Sequence, residues 1–312
     1  MKRLHISDIW KLSKKGHANY EFVDVAANDD TKLFVDPCLM RKSDDPIILK
    51  ANAEIDSFFD VFYKAYITGN ERAKMELLSH AGEENATKLG YGNGFNGKGN
   101  TMQGIIQDFR PLEELIASIP NISEPEDLPV LLPGFAEDGL SDLLTNIIHE
   151  ELSEYTLQQM NKYGIASNDE AVFFSWNGEE KRWEQVHRPA FFYNNKEILL
   201  VPKNIVRKNY LFSTAQFFQR IILEHLREEG NYIDMDGNYY PKKEVMRTLQ
   251  SKHASEDEHW IYRQTIDYTK RKNHVLDEYH ERLGSFYLES GDAMTDEELD
   301  EAVYYNIRLR SA

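Results

Sequence analysis

The chain has 312 residues, of which 41% are hydrophobic and 12% aromatic, so it is too apolar for a disordered protein. Its 53 acidic and 36 basic residues give a formal net charge of −17, which disfavours unaided binding to nucleic acid without excluding it. The single cysteine, Cys38, forms no internal disulfide, and no apolar run is long enough to span a membrane. We therefore expect a cytoplasmic protein without a membrane partner.

The first predicted element is a β-hairpin over residues 20–37. Residues 20–25 and 32–36 are β-prone, and the polar residues between them favour a turn. Each predicted strand carries an aspartate inside an apolar run, Asp24 in Phe-Val-Asp-Val and Asp36 in Phe-Val-Asp-Pro. Buried carboxylates need a hydrogen-bonding partner, an opposite charge or a metal, so these two aspartates are the first candidates for a site.

The later elements follow from hydrophobic spacing and turn residues. In chain order they are a helix over 51–78 broken at Gly69-Asn70, a glycine-rich loop over 90–99, a helix over 101–119, an extended proline-rich connector over 120–134, a helix of about six turns from 140 to Gly164, hairpins closed at Asn177-Gly178, Asn194-Asn195 and Asp236-Gly237, and helices after 203 and through the C-terminal 70 residues.

This order of elements predicts an α+β fold with β-hairpins in a mixed sheet packed against helices, and a helical C-terminal tail. The proline-rich stretch marks the best candidate for a boundary. It divides the chain into an N-terminal α+β part over 1–119, a connector over 120–134 and an α+β part over 135–312.

The aspartate pair of the first hairpin is one candidate metal site. A register pairing Asp24 with Asp36 would hold them roughly 5 Å apart, or roughly 7–8 Å on a diagonal, and either suits one divalent cation. The alternative is that Asp36 caps the strand end before Pro37 while Asp24 faces solvent.

A second candidate lies on the helix that follows the connector. Asp142, Asn146, His149 and Glu150 share one side of that helix, opposite its apolar stripe. Asp142 would be a metal ligand or general base, with Asn146 and His149 orienting water or substrate. A capped helix with a solvated polar face explains the same pattern.

A third candidate is Lys203, which follows the apolar run 197–201. Metal-dependent nucleases of the restriction-endonuclease type combine an aspartate with a glutamate-x-lysine strand, whose lysine helps activate water. Asp36 or Asp142 with Lys203 could imitate that set, although Glu197 and Lys203 are six positions apart instead of two. The alternative is a structural strand end.

The glycine-rich loop is a fourth candidate. It has the glycine and lysine spacing of a P-loop, but Gly99 stands where Ser or Thr must bind Mg²⁺. We expect a loop that closes over a ligand or partner, through Gly94, Gly97 and Lys98.

The runs Phe-Val-Asp-Val, Leu-Phe-Val-Asp-Pro, Gly-Leu-Ser-Asp and Leu-Leu-Val-Pro-Lys203 resemble those of uncharacterised bacterial proteins of similar length. These proteins look like accessory proteins of mobile or phage-defence gene clusters. The resemblance implies a defence setting and carries over no chemical role for any residue.

Two functions are therefore expected. The first is a metal-dependent nuclease or phosphodiesterase, in which Asp24, Asp36 and Asp142 bind Mg²⁺ or Mn²⁺ and Lys203 contacts phosphate or activates water. The second is a non-catalytic subunit or adaptor of a multiprotein complex, with another protein or a second copy of the chain as its partner.

Overall fold

The computed structural model describes residues 3–82, 85–91, 102–132, 134–230, 232–255, 257–291 and 293–305. The predicted loop residues Gly94, Gly97 and Lys98 lie outside them.

Helices make up most of the described regular structure. They are α1 (Ile6–Ile9), α2 (Pro37–Met40), α3 (Pro46–Ile67), α4 (Glu71–Leu78), α5 (Met102–Asp108), α6 (Leu112–Ser118), α7 (Asp127–Leu131), α8 (Glu137–Ile147), α9 (His149–Tyr163), α10 (Thr214–Phe217), α11 (Leu223–Glu229), α12 (Lys242–His253), α13 (Trp260–Arg271), α14 (His274–Glu289) and α15 (Asp296–Asp300). Short 3-10 turns cover His17–Asn19 and Lys203–Ile205, and π-helical turns cover Phe218–Ile222 and Glu301–Tyr305.

The strands are β1 (Phe34–Val35), β2 (Asp169–Asn177), β3 (Arg182–Ala190), β4 (Phe192–Tyr193), β5 (Lys196–Glu197) and β6 (Val206–Arg207). Within the described chain they pair as β1–β6, β2–β3 and β4–β5, each an antiparallel two-stranded sheet. The predicted α+β class and helical C-terminal region are confirmed, with small separate sheets as its β component. None of the described helices is long and apolar enough to cross a membrane.

The chain forms two compact units. The first contains Met1–Gln107, Glu137–Tyr210 and Gly291–Ala312, and the second contains Asp108–Ala136 and Leu211–Ser290. The segment predicted as a connector, 120–134, lies inside the second unit. It includes α7, and Leu128, Val130, Leu131 and Leu132 are buried there. Pro120 and Pro125 lie in turns and Pro129 lies in α7, while the apolar residues near them contribute to the core of that unit.

The predicted hairpin over residues 20–37 is wrong. Phe34–Val35 pairs with Val206–Arg207, while Phe22 forms an antiparallel bridge to Pro202. Both N-terminal runs therefore pair with the segment 201–207 instead of with each other. That segment follows a fully buried apolar run, and its Val201, Pro202, Ile205 and Val206 are buried, so these residues can pair with both N-terminal runs in the core.

The helix boundaries follow glycines and prolines. The predicted break between α3 and α4 is confirmed: Gly69 has φ +63° and the Asn70 side chain caps α4. The helix predicted over 101–119 is two helices, α5 and α6, with Pro111 between them as the N-cap of α6. The predicted long helix is also divided, into α8 and α9 at Ile148, and it ends at Gly164 (φ +69°) as predicted.

The other predicted hairpins are confirmed with adjusted lengths. In the β2–β3 hairpin Asn177 pairs with Arg182, so residues 178–181 form the loop. Asn194 and Asn195 both have positive φ and join the short strands β4 and β5, as a type I′ turn requires.

Candidate functional site

Asp24 is completely buried in the first unit and accepts three hydrogen bonds. Its Oδ1 accepts from the Ser7 amide (2.7 Å), and its Oδ2 accepts from the Ser7 hydroxyl (2.6 Å) and the Tyr304 hydroxyl (2.6 Å). The interpretation that Asp24 faces solvent is therefore wrong. Burial, and then the charge of Asp24, raise the pKa of the Tyr304 hydroxyl, which keeps it a donor.

His17 lies directly beside Asp24 and uses both ring nitrogens. Nε2 accepts a hydrogen bond from the Asp24 amide (3.1 Å), so the ring proton is on Nδ1, which donates to Asp300 Oδ1 (2.6 Å). Burial lowers the pKa of His17 more than the neighbouring Asp300 raises it. The imidazole is therefore neutral, and neither nitrogen is left to bind a metal or to take a proton from substrate.

Lys203 belongs to the same network. Its Nζ donates to Asp296 Oδ1 (2.5 Å) and to the His17 carbonyl oxygen (2.7 Å). Two predicted site residues, Asp24 and Lys203, thus both form a hydrogen bond with His17. No local sequence pattern marks His17 or the C-terminal residues Asp296, Asp300 and Tyr304 as members of this network.

Asp36 has a local structural role. It is fully buried and caps α2, where its carboxylate accepts hydrogen bonds from the Cys38 and Leu39 amides, with Pro37 in the first helical position. The Asp36 amide donates to the Ile205 carbonyl oxygen (2.8 Å). The alternative of a capping role next to Pro37 was therefore right, although the capped element is a helix.

The polar residues predicted on one helix are divided between α8 and α9 and are less exposed than a solvated face would be. Asp142 and His149 are buried, and the Asn146 side chain donates to the Asp142 and Gly82 carbonyl oxygens. His149 stacks on Phe173, with 3.8 Å between ring centroids.

The predicted metal ligands do not meet in one site. Among the described residues, no group of three or more His, Cys, Asp and Glu side chains is placed to hold a metal ion. Asp24, Asp36 and Asp142 thus do not assemble the Mg²⁺ or Mn²⁺ ligand set that the sequence suggested. Asp24 fits a cation poorly, since hydrogen-bond donors already engage both of its oxygens.

The first unit also contains a surface groove that no sequence motif marks. It has a volume of about 360 Å³ and lies between α3, α4 and the β2–β3 hairpin, with Val61, Leu77, Trp176 and Trp183 among its lining residues. The two tryptophans are paired across the hairpin, and their indole rings pack edge to face with 5.8 Å between centroids. The register of the β2–β3 hairpin explains why Trp176 pairs with Trp183. The packing of α3 and α4 against this hairpin, which completes the groove, has no corresponding signal in the sequence.

Hydrogen bonds hold the two indoles in place. Trp183 Nε1 donates to the Leu77 carbonyl oxygen (3.0 Å), and Trp176 Nε1 donates to the Ser57 hydroxyl (3.3 Å). The polar atom of each ring is therefore turned inward to the protein. What lines the groove is the apolar part of the rings.

Charged side chains surround the groove. An adjoining cavity of about 450 Å³ is lined by Asp60, Val61, Lys64 and Lys181. Neither lysine forms an ion pair with any described residue. Arg182, by contrast, is engaged by Glu184. Two exposed ammonium groups thus stand beside an aromatic floor.

Comparison with known proteins identifies one family model, described as "Domain of unknown function (DUF8370)", which matches residues 11–213. No curated protein and no solved structure matches the chain. The matched range contains Asp24, Asp36, Asp142 and Lys203 and also the Trp176–Trp183 groove. It ends before the C-terminal partners of His17 and Lys203.

Proposed function

We propose that this chain, which belongs to the family described as a domain of unknown function (DUF8370), is a non-catalytic subunit that binds a protein partner in the Trp176–Trp183 groove. The observation that carries the proposal is the pair of indoles fixed by their own N–H groups, with apolar ring surface facing the groove. Tryptophan and arginine are enriched among the residues that dominate protein interfaces.

The groove has the layout of a protein interface. Its floor contains Val61, Leu77 and the two indoles, and its charged residues, Glu76 and Arg182 among them, stand at the rim. An apolar centre surrounded by polar side chains excludes water from the contact and is the usual arrangement at interfaces.

The rim indicates the chemistry of the partner. Lys64 and Lys181 have no ion-pair partner in the described part of the chain, whereas Asp60 is the one acidic residue lining the same cavity. We expect a partner segment that inserts an apolar or aromatic side chain into the groove, against the indoles, and places an acidic residue next to the lysines.

The test is a binding measurement with a purified partner. The tagged chain is isolated from its source cells, any protein present in equal amount is identified, and its affinity is measured for wild type, Lys64→Glu/Lys181→Glu and Trp183→Leu. We expect each variant to bind at least about fivefold more weakly, since apolar anchors and charged rims each contribute about 1 kcal/mol or more.

Lys252→Glu is the matched control for the charge reversals, because Lys252 is exposed in the other unit and its substitution changes the charge as each of the two groove lysine substitutions does. It should leave the affinity unchanged. If the groove variants bind as tightly as wild type, or if no partner accompanies the chain, the proposal is wrong. Analytical ultracentrifugation distinguishes a partner protein from a second copy of the chain.

The metal-dependent nuclease or phosphodiesterase is the second candidate. The observation in its favour is that Asp24 and Lys203 lie in one network around His17. Its test is hydrolysis of DNA, RNA and bis(p-nitrophenyl) phosphate with Mg²⁺ or Mn²⁺, comparing wild type with Asp24→Asn and Lys203→Met. A metal-dependent rate lost in both variants would favour this candidate over the binding role. The phage-defence setting is likewise a proposal, and a plaque assay with the intact gene cluster tests it.

A further inference from the structure

The last described segment of the first unit presents three polar side chains to the rest of that unit. Asp296, Asp300 and Tyr304 recur at intervals of four residues along α15 and the π-helical turn that follows. This spacing places them along one side of the segment. Their polar partners are, in the same order, Lys203, His17 and Asp24.

The carboxylate of Asp300 accepts two hydrogen bonds from His17 and lies close to Gly16. Its Oδ1 accepts from the His17 amide (2.9 Å) and from His17 Nδ1 (2.6 Å). Gly16 has φ +89°, and a Cβ there would lie 3.1 Å from Asp300 Oδ2. The glycine therefore lets the carboxylate come close to the backbone.

A second carboxylate, that of Asp296, lies one helical turn earlier on the same segment. Asp296 Oδ1 accepts from Lys203 Nζ at 2.5 Å, and the same ammonium group donates to the His17 carbonyl oxygen at 2.7 Å. Lys203 is thus fixed beside the residue that holds Asp300. One amide and one imidazole N–H thus contact Asp300, and one ammonium group contacts Asp296.

This donor set is suited to a phosphate group. Backbone amides and lysine are the usual partners of phosphate oxygens, and hydrogen bonds to charged groups are the strong ones. The Nδ1 of His17 is fixed as a donor, because Nε2 accepts from the Asp24 amide. Two aspartates also carry about the same charge as a phosphate monoester near pH 7.

We propose that Gly16, His17 and Lys203 form a binding site for a phosphate group, and that Asp296 and Asp300 of the same chain occupy it as an internal competitor. The inference goes beyond the partner-binding role and does not depend on the Trp176–Trp183 groove. It assigns to Lys203 a phosphate contact that needs no metal ion.

Asp296 and Asp300 are partly exposed, so a phosphate ligand from solution can compete with them for His17 and Lys203. The side chains of Asp300, Asp296 and Lys203 are 32%, 34% and 27% exposed, so solvent reaches the ion pairs. Buried Leu299 and Val303 and the Tyr304–Asp24 hydrogen bond oppose release of the segment. A phosphate ligand must overcome these contacts, so its apparent affinity depends on the fraction of molecules in which the segment is released.

The test measures phosphate binding with and without the competitor. Isothermal titration calorimetry is carried out with inorganic phosphate and, separately, AMP on wild type, Asp296→Asn/Asp300→Asn and Glu297→Gln/Glu301→Gln. The last variant is the matched control, because Glu297 and Glu301 are exposed on the same segment and the charge change is equal. We expect the aspartate variant to bind phosphate at least about tenfold more tightly than wild type, and the control to match wild type.

Two further measurements complete the test. Adding Lys203→Met to the aspartate variant should remove the gain in affinity, and circular dichroism checks that each variant is folded. Equal affinities for the two probes would indicate recognition of the phosphate group alone, and tighter binding of AMP would indicate a nucleotide. In unmodified protein, phosphate should accelerate amide hydrogen exchange in residues 296–305 relative to chloride at equal ionic strength.

The proposal is overturned if the aspartate variant binds phosphate no more tightly than the Glu297→Gln/Glu301→Gln control. It is also overturned if the gain survives Lys203→Met. The exchange experiment needs no substitution, so an unchanged rate at 296–305 under saturating phosphate counts against it even when a variant does not fold.

Discussion

Raising the pH from about 7 to about 10 should destabilise the second unit through one ion pair between His280 and Asp127. His280 Nε2 lies 2.7 Å from Asp127 Oδ1, and Asp127 is almost completely buried. The other oxygen, Oδ2, accepts from the Ser123 and Glu124 amides at 2.9 Å each. Burial alone would lower the pKa of His280, but the charge and hydrogen bond of Asp127 outweigh it and raise the pKa to about 9.

The size of the effect follows from the pKa of His280 in the two states. The ordinary pKa of histidine is 6.5, so the increase to about 9 stabilises the folded state by about 3 kcal/mol, at about 1.36 kcal/mol per pKa unit. Folded protein keeps the proton over this range, whereas unfolded protein has lost it. The stabilisation is therefore complete below about pH 6.5 and disappears as the pH rises through about 9.

Urea unfolding at a series of pH values measures this change, with His280→Gln as the reference that cannot titrate. The free energy of unfolding of wild type should fall by up to about 3 kcal/mol more than that of His280→Gln between pH 6.5 and 10. Parallel pH profiles for the two proteins would refute the assignment of a charged His280 in the folded state.

Three further outcomes are expected. Tyr304→Phe leaves Asp24 buried with one donor fewer and should cost about 1–3 kcal/mol in the free energy of unfolding by urea. Gly16→Ala should lower the melting temperature more than Gly69→Ala, because both glycines have positive φ but a Cβ meets a neighbouring carboxylate only at residue 16. Asp36→Ala should cost about 0.5–2 kcal/mol and Asp36→Asn much less, since asparagine also caps helices; equal losses on urea unfolding would contradict the capping role.

Local signals predicted the elements whose boundaries are set by local chemistry. Gly69-Asn70 ends one helix and starts the next, Gly164 ends α9 with a left-handed residue, and Asn194-Asn195 adopt the positive φ of a tight hairpin turn. In each case the residue type determines the backbone conformation within a few positions, so the sequence is sufficient.

Pairings between distant segments could not be predicted in this way. The turn-forming residues 28–30 favoured a hairpin, but Phe34–Val35 pairs with β6, far along the chain. Asp24 was recognised as a carboxylate that needs a partner, yet its partner Tyr304 lies 280 positions later. The pattern of apolar residues along a strand indicates that a residue is buried, but it does not indicate which distant segment packs against that residue.

The first unit is built from three separate stretches of chain, and this has a consequence for folding during synthesis. Its last stretch, from Gly291 onward, leaves the ribosome only after the whole second unit has been made. Until then Asp24 lacks its tyrosine partner, and Lys203 and His17 lack their carboxylates. We therefore expect Asp24, His17 and Lys203 to lack these C-terminal partners in a nascent chain, and also in a fragment that ends at residue 213, where the family match ends.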